Sequence, residues 1–269
     1  MTAPHDVDLV WLVATDLEAA PLRGVLGGAE RRDVAGTEWW LGTFRCGSRD
    51  ISTALVVSGY DKVNAAHALT CVLSAARPSL VLNVGVAGAY PESGLAVGDL
   101  VLATDEVYAD TGVLAPEGWL STEAIGLPLA RTGGREYGNS FPLDADLVQV
   151  AVRAVEAAPW PPPRPRIAAG LCLTSSVVTG RTADAEVLET RWHALAESME
   201  GAAAAHVCLL HGVPFLEVRG ISNRVADRDR AAWDLDAAAA RAAAAALAIC
   251  ARLDEVLASM NRAAAGLGA

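Results

Sequence analysis

The sequence predicts a three-layer αβα fold, in which a central mixed, largely parallel twisted sheet is flanked by helices. Short runs rich in Val, Leu and Ile alternate with helical patterns from end to end. These runs are almost wholly apolar, which is typical of strands buried on both faces of a sheet. A chain of 269 residues, of which 52% are hydrophobic, can also bury a full core. We therefore expect one domain that spans residues 1–269.

The elements follow one another in a strand, loop, helix order. Strands are predicted where a short apolar run is bounded by turn-forming residues, at 9–14, 51–58, 80–86, 100–107, 167–173 and 215–221. Helices are predicted where apolar residues or alanines recur at helical spacing, at 16–26, 62–75, 143–157, 200–211 and 235–260.

Two segments do not fit this alternation. Residues 110–142 carry repeated Gly and Pro with weak periodicity, which indicates a functional or oligomer-contacting loop, or equally a mobile surface loop. The proline-rich run at 159–165 predicts a stiff, exposed connector, because proline neither continues a helix nor donates to a sheet.

Charge and hydropathy patterns exclude several classes of protein. The chain has 21 Lys and Arg against 32 Asp and Glu, a formal charge of −11, and such a surface repels nucleic acid. The longest apolar run, near the end, is interrupted by Arg241 and Arg252, so no bilayer-spanning segment is expected. The first residues lack the basic flank and long apolar stretch of a secretory signal, which predicts a cytoplasmic protein.

The cysteines indicate neither a disulfide framework nor a metal site. They are five in number, scattered, and form no C-x-x-C pair, a pattern typical of reduced core thiols. His206, Cys208 and His211 lie close together, yet on a helix they point to different faces. We therefore interpret this stretch as core and predict no metal.

Ligands of such sheets collect at the carboxyl ends of the strands, so the residues there are the candidates for function. Asp16 and Glu18 follow the first strand in the first turn of a helix, where the dipole favours negative charge. Asp16 is expected to cap the helix. Glu18 is either a solvated helix residue or a catalytic carboxylate.

Small residues at 83–89 permit close backbone approach to a ligand, but the segment lacks the third glycine of a dinucleotide fingerprint and the lysine of a P-loop. NAD and ATP are thus not supported, and no cofactor is predicted. The stretch 58–66, with Lys62 as the only lysine, is expected to be a turn and helix cap.

The most informative stretch is 198–223. Glu200 opens a nearly all-apolar helix, which alone could be a simple dipole partner. Arg219 lies within an apolar strand, where a guanidinium needs a carboxylate or a ligand to offset its desolvation. The stretch therefore predicts a buried site.

Together these segments resemble the nucleoside phosphorylase/nucleosidase superfamily, in the branch that contains methylthioadenosine/S-adenosylhomocysteine nucleosidases and futalosine hydrolases. The resemblance covers most of the chain, except the long loop and the proline connector. It rests on the order and spacing of five segments: the first strand with Glu18, then 58–66, 83–88, 199–202 and 213–223.

The resemblance implies hydrolysis of the N-glycosidic bond between ribose and a purine, without a metal. Glu18 is similar to the residue that activates water beneath C1′, and Met199 and Glu200 resemble those that hold the ribose. A carboxylate near the sugar would stabilise an oxocarbenium-like transition state. The further substrate contacts that the resemblance implies are Val86, Ala87, Gly88, Val178, Thr179, Arg219 and Ser222.

Asn223 departs from the adenine-specific members of this branch, which carry an aspartate there. A carboxylate accepts from the amino group of adenine, whereas an amide NH2 donates to the O6 of a 6-oxopurine. Asn223 therefore predicts hypoxanthine or guanine as the base. It is also the third catalytic candidate, beside Glu18 and Glu200, and is expected to assist the departure of the base. Val86 stands where a phosphorylase would carry a hydroxyl, which favours water as the nucleophile.

Residues 220–235 look like the futalosine hydrolases within this branch, which release hypoxanthine from futalosine during menaquinone biosynthesis. Arg135, Arg224 and Arg228 are candidates for the aryl carboxylate on the 5′ side of that substrate, or surface residues. Alternatives are an adenosine-type nucleosidase, a purine nucleoside phosphorylase, and a non-catalytic purine-binding or storage protein on the same scaffold. The expected partners are a small purine nucleoside and further copies of the chain, as a homodimer or homotetramer.

Overall fold

The computed structural model describes residues 7–258. Up to the long loop, the chain forms β1 (Leu9–Val13), α1 (Asp16–Arg23), β2 (Leu26–Val34), β3 (Thr37–Cys46), β4 (Arg49–Val57), α2 (Lys62–Ala75), β5 (Leu80–Ala89) and β6 (Leu100–Tyr108). The rest forms β7 (Val113–Ala115), β8 (Gly118–Leu120), β9 (Ala130–Thr132), β10 (Arg135–Tyr137), β11 (Ser140–Pro142), α3 (Ala145–Glu156), β12 (Ile167–Thr174), α4 (Thr182–Trp192), β13 (Ala196–Ser198), α5 (Gly201–His211), β14 (Phe215–Arg224) and α6 (Leu235–Cys250).

Ten strands form one mixed sheet in the order β11-β6-β12-β13-β5-β1-β4-β3-β2, and β14 pairs with both β5 and β6. The strands β6, β12, β13, β5 and β14 therefore close into a ring. β1 lies parallel between β4 and β5, and β14 runs parallel to β5. Because these parallel strands end on the same side, the residues that follow them meet at one edge of the sheet.

Helices cover both faces of the sheet, as predicted. Buried side chains of α1, α3 and α6 pack in one apolar cluster, and those of α2 and α5 pack in another. The many alanines of α6 let it lie close to the sheet. The approach is so close that a Cβ on Gly220 of β14 would collide with the carbonyl oxygen of Ala238. The predicted αβα layering is confirmed.

The predicted strands and helices are all present, and all of them except α2 have shifted ends. Helix α1 ends at Arg23 rather than at residue 26, because Leu26 already pairs with Phe44 in the β2–β3 ladder. The helix predicted at 235–260 ends at Cys250, turns over 251–252 and is helical again over 253–258. Its predicted end, Met260, lies outside the described residues.

The segment 110–142 is not the structureless loop that its glycines and prolines suggested. It contains two small hairpins, β7–β8 and β9–β10, and the edge strand β11, which pairs antiparallel with β6. Four further elements were not predicted. They are β2, β3, α4 and β13.

Within residues 7–258, no helix has the length and apolar character needed to cross a membrane. Over the same range no group of His, Cys, Asp or Glu could hold a metal ion. His206 stacks on Phe141 with ring centroids 4.5 Å apart, and its Nδ1 lies 3.3 Å from the hydroxyl of Tyr108. The five cysteines are free thiols.

Candidate active site

A pocket lies at the edge where β1, β5, β12 and β14 end, and we call it the strand-end pocket. The sequence-predicted residues that line it are Glu18, Val86, Ala87, Gly88, Val178, Thr179, Met199, Glu200, Ser222 and Asn223. The fold thus brings together segments that are up to about two hundred residues apart in the sequence. Arg219 is the one predicted site residue that does not line it.

Glu18 is held on the floor of the pocket by four donors. Its Oε2 accepts from the backbone NH of Ala14 (3.1 Å), the NH of Thr15 (2.9 Å) and the hydroxyl of Thr15 (2.9 Å). Its Oε1 accepts from the NH of Val86 (2.9 Å). A carboxylate oxygen offers about two acceptor positions, so Oε1 keeps one for a further donor. Glu18 is therefore both the capping-box residue of α1 and a fixed acceptor in the pocket.

Glu200 is the second buried carboxylate of the pocket. It precedes α5 as its N-cap residue, accepts from the NH of Asp61 through Oε1 (3.1 Å), and pairs through Oε2 with Nη1 of Arg219 (3.2 Å). Burial raises the pKa of Glu200, and the charge of Arg219 opposes this rise.

Arg219 lies beneath the pocket rather than in its wall, which corrects its predicted role as a substrate contact. Its side chain is 2% exposed, and its Nε donates to Glu217 at 2.8 Å while Nη1 pairs with Glu200. Burial alone would lower the pKa of Arg219, but the charges of Glu217 and Glu200 raise it above its ordinary value. Arg219 therefore orients the carboxyl group of Glu200 from beneath the pocket.

A further buried acid, Glu106, lies behind the ion pairs of Arg219. Glu106 of β6 is fully buried; its Oε2 accepts from the hydroxyl of Thr174 (2.7 Å) and its Oε1 has no donor. Burial raises the pKa of Glu106 well above its usual range, with the charge of Glu217 and a hydrogen bond to it adding to the rise. Glu217 also accepts from the amide of Asn83 (2.7 Å). Burial therefore favours the protonated form of Glu106, and Glu217 is the carboxyl group that pairs with Arg219.

Glycines allow these groups to approach the backbone. A Cβ on Gly85 would lie 2.6 Å from both Glu18 Oε1 and Arg219 Nη1. A Cβ on Gly201 would collide with the Glu106 carboxyl group and lie 2.5 Å from Glu217 Oε2. No side chain fits at either position without displacing a carboxyl group.

Asn223 enters the pocket at an irregularity of β14. The register with β5 shifts between Ile221 and Asn223, as in a β-bulge, which re-aims a side chain. The hydroxyl of Ser222 donates to Asn223 Oδ1 (2.7 Å), and its oxygen also lies 3.2 Å from the carbonyl oxygen of Ala87. A Cβ on Gly88 would lie 3.0 Å from Asn223 Nδ2. These contacts fix the amide against the end of β5.

The loop after β12 forms the opposite wall with Val178 and Thr179. Glu197, which sequence reasoning missed, accepts from the NH of Thr179 (2.8 Å) and from its hydroxyl (2.5 Å). Glu197 is 7% exposed and also accepts from the hydroxyl of Tyr90 (3.0 Å). The sequence offered one signal for Glu197, its position directly before the Ser-Met-Glu segment. Its strand, β13, is only three residues long and therefore shows no periodicity.

The remaining wall is largely aromatic, and of its residues only Arg228 was considered from the sequence. Tyr60, Trp233 and Leu235 line it, together with the guanidinium-bearing Arg228. Arg228 is the only cation among the described residues that line the pocket. The pocket therefore has an acidic floor, an amide, and an aromatic wall with a single positive charge.

In this α/β fold, whose strands close into a ring, buried carboxylates line a pocket at the strand ends. Such a site is typical of proteins that bind a small polar molecule. Residues 8–258 match the family described as the phosphorylase superfamily, and the chain belongs to that superfamily. The predicted family is confirmed.

The relatives are nucleosidases. A futalosine hydrolase of Thermus thermophilus is 38% identical over 179 residues, which cover 65% of this chain and 71% of that protein. A 5′-methylthioadenosine/S-adenosylhomocysteine nucleosidase of Halalkalibacterium halodurans is 29% identical over 249 residues, which cover 89% of this chain and 96% of that protein. The crystal structure of such a nucleosidase from Colwellia psychrerythraea, in complex with adenine, has the same fold. Its TM-score is 0.76 at 24% identity, and the match covers 93% of this chain and 96% of that chain. The prediction of an enzyme of the nucleosidase class is confirmed.

Proposed function

We propose that this chain is a futalosine hydrolase, which cleaves the N-glycosidic bond of futalosine and releases hypoxanthine and dehypoxanthine futalosine. The observation that carries the proposal is the amide of Asn223, held in the strand-end pocket. An amide NH2 donates to the O6 of a 6-oxopurine, and the amide oxygen can accept from a ring NH. The similarity to a futalosine hydrolase also supports hypoxanthine as the base that is released. The reaction belongs to menaquinone biosynthesis.

In this proposal Glu18 activates the attacking water. The free acceptor position on Oε1 takes a proton of the water, while the four donors keep the carboxylate oriented. The water adds to C1′ as the bond from C1′ to the purine nitrogen breaks. The negative charge of Glu18 also stabilises the oxocarbenium-like ribose in the transition state.

Glu200 holds the ribose by accepting from its hydroxyl groups, with Met199 against the sugar. Arg219 and the NH of Asp61 fix the carboxyl group from behind, so the substrate meets an oriented acceptor. A preoriented acceptor lowers the entropic cost of placing C1′ above Glu18.

Asn223 and the loop of Val178 and Thr179 hold the base. As the glycosidic bond breaks, electron density moves onto the purine, and a donor at its edge stabilises the leaving group. Asn223 Nδ2 supplies that donor in the proposal. An adenine at this position would present its amino group to the NH2 of Asn223 and leave that donor unpaired beneath the bound base, at a cost of about 1–3 kcal/mol.

The charges of the pocket favour hydrolysis over phosphorolysis. A phosphate beneath the ribose would meet Glu18, and the nearest guanidinium, Arg219, is already engaged by Glu217 and Glu200. Val86 supplies an apolar side chain where an anion would need a hydroxyl. Water is therefore the nucleophile in the proposal.

The test is to incubate the protein with futalosine, with and without inorganic phosphate, and to follow free hypoxanthine by chromatography. The proposal expects the same rate of hypoxanthine release in both buffers. A strict requirement for phosphate would indicate a phosphorylase, and the absence of hypoxanthine in both buffers would refute the proposal.

A second candidate is a methylthioadenosine/S-adenosylhomocysteine nucleosidase. It is favoured by the greater extent of the match, since the relative of that name is covered over 96% of its length. Release of adenine from methylthioadenosine by the same assay would support this candidate.

A further inference from the structure

We infer that Arg228 is the specificity-determining residue that binds the carboxylate on the 5′ side of the substrate; this inference rests on the proposed function. The substrate-contacting features of the strand-end pocket are anionic or neutral except for this one side chain. Futalosine carries an aryl carboxylate, whereas methylthioadenosine is uncharged on its 5′ side. A cation in the pocket is the feature that distinguishes between them.

Arg228 has no competing partner. It forms no ion pair with any described residue, although Asp227 and Asp229 flank it in the sequence. Asp227 instead accepts from the NH of Thr182 (3.1 Å), and Asp229 accepts from the NH of Ala231 (3.2 Å). A guanidinium whose neighbouring acids are engaged elsewhere keeps its full donor set for a ligand.

The side chain of Arg228 is also held in place. Its Cδ and Cγ pass within 3.4 Å of the point where a Cβ on Gly180 would lie, next to the Val178–Thr179 wall. Its guanidinium carbon lies 5.0 Å from the centroid of the Trp233 ring. Stacking on an indole face orients a guanidinium without using its hydrogen-bond donors.

This arrangement suits an aryl carboxylate. With the base at Asn223 and the ribose at Glu200, the part of the pocket that is left for the 5′ substituent is the aromatic wall of Tyr60, Trp233 and Leu235. The aryl ring packs on that wall, and the carboxylate meets the guanidinium in a bidentate, charge-assisted pair. Arg228 is solvent-exposed, so the pair forms at the pocket mouth and the charge of the substrate stays hydrated in part.

The other two arginines considered from the sequence do not reach the pocket lining. Arg224 points its Nη2 to the carbonyl of Pro91 (3.5 Å), and Arg135 stacks on Tyr137 at 4.8 Å. The geometry therefore selects Arg228 among the three. Arg224 is a matched control, because it is exposed, cationic and only four residues away.

The experiment compares wild type, Arg228→Gln, Arg228→Lys and Arg224→Gln on futalosine and on futalosine methyl ester, in which the carboxylate is neutral. We expect Arg228→Gln to raise KM for futalosine about tenfold or more, with kcat and the KM for the ester nearly unchanged. Arg228→Lys should fall between, since it keeps the charge and loses the bidentate geometry. Arg224→Gln should match wild type.

Two results would overturn the inference. One is an unchanged KM of Arg228→Gln for futalosine, and the other is an equal loss on futalosine and its ester, which would indicate a contact with the base or a structural role. If wild type itself releases no hypoxanthine from futalosine, it is the proposed function that fails. The two failures are therefore distinguishable.

Discussion

Glu18 has two roles in our proposal, and one substitution can separate them. As a cap it accepts three hydrogen bonds through Oε2, and as a base it uses the free position on Oε1. Glu18→Gln keeps an acceptor for the cap but cannot take a proton from water. We expect kcat to fall by about 10²–10⁴-fold, measured as the rate of purine release at saturating substrate.

Asp16→Asn is the control for this change. Asp16 lies in the same helical turn, is exposed, and pairs only with Arg23 at 3.4 Å. We expect this variant to keep the wild-type kcat. A Glu18→Gln variant with wild-type turnover would contradict the assignment of Glu18 as the base.

Asn223 determines the base in our account. Asn223→Asp replaces the NH2 donor by an acceptor, so the preference should shift from 6-oxo to 6-amino purines. We expect the ratio of kcat/KM for futalosine to that for its adenine-containing analogue to fall by about tenfold or more. An unchanged ratio would mean that another group reads position 6 of the purine.

At the scale of single elements, the close approach of β5 and β14 places the proposed catalytic groups. Gly85 of β5 leaves room for Glu18 Oε1 and Arg219 Nη1, each 2.6 Å from where its Cβ would lie. Gly85→Ala should therefore displace Glu18 and lower kcat/KM by about 100-fold, because a misplacement of about 1 Å has that effect.

Gly24→Ala is the matched control, because a Cβ there makes only ordinary contacts at 3.6 Å and the backbone is already helical. We expect wild-type kinetics for it, and thermal unfolding would show whether each variant folds. Wild-type kcat/KM in Gly85→Ala would refute the steric account of this glycine.

The sequence predicted those elements that carry a continuous apolar run or apolar residues at helical spacing. Strand β1 is buried at every position, and α2 begins and ends where its alanine and leucine spacing indicated. By contrast β2 is charged and mostly exposed, as edge strands often are, and α4 buries only Ala185. Neither has the apolar pattern on which the prediction depends.

The same limit applied to the site. Glu18, Glu200 and Asn223 were predicted because they follow buried elements and match a family pattern. Arg228 was one of three arginines that the sequence offered for the 5′ carboxylate, and only the fold distinguishes it from the other two and brings Trp233 to the pocket. The need of Arg219 for a carboxylate was foreseen, but its partner Glu217 and its place beneath the pocket were not.

At the scale of the whole molecule, the buried acid Glu106 makes stability depend on pH. Burial and the neighbouring Glu217 raise its pKa in the folded state, whereas an unfolded glutamate loses its proton near pH 4.3. The folded protein therefore binds more protons between these two pKa values. Stability is fully present below the unfolded pKa and falls as the pH rises towards the folded pKa, by about 1.4 kcal/mol per pH unit.

Glu106→Gln removes this proton uptake and keeps the geometry, since its NH2 can donate to Glu217 and its oxygen can accept from Thr174. We expect the melting temperature of the variant, relative to wild type, to increase as the pH rises above the unfolded pKa of glutamate. Parallel pH dependence of the two proteins would show that Glu106 is ionised in the folded state.

The central claim, that a 6-oxopurine is released by hydrolysis, is tested most directly by competition. Equimolar futalosine and methylthioadenosine are mixed with the wild-type protein in phosphate-free buffer, and hypoxanthine and adenine are separated by chromatography at early times. The ratio of the two products gives the ratio of kcat/KM for the two substrates. The account predicts hypoxanthine in large excess, and an excess of adenine would contradict it.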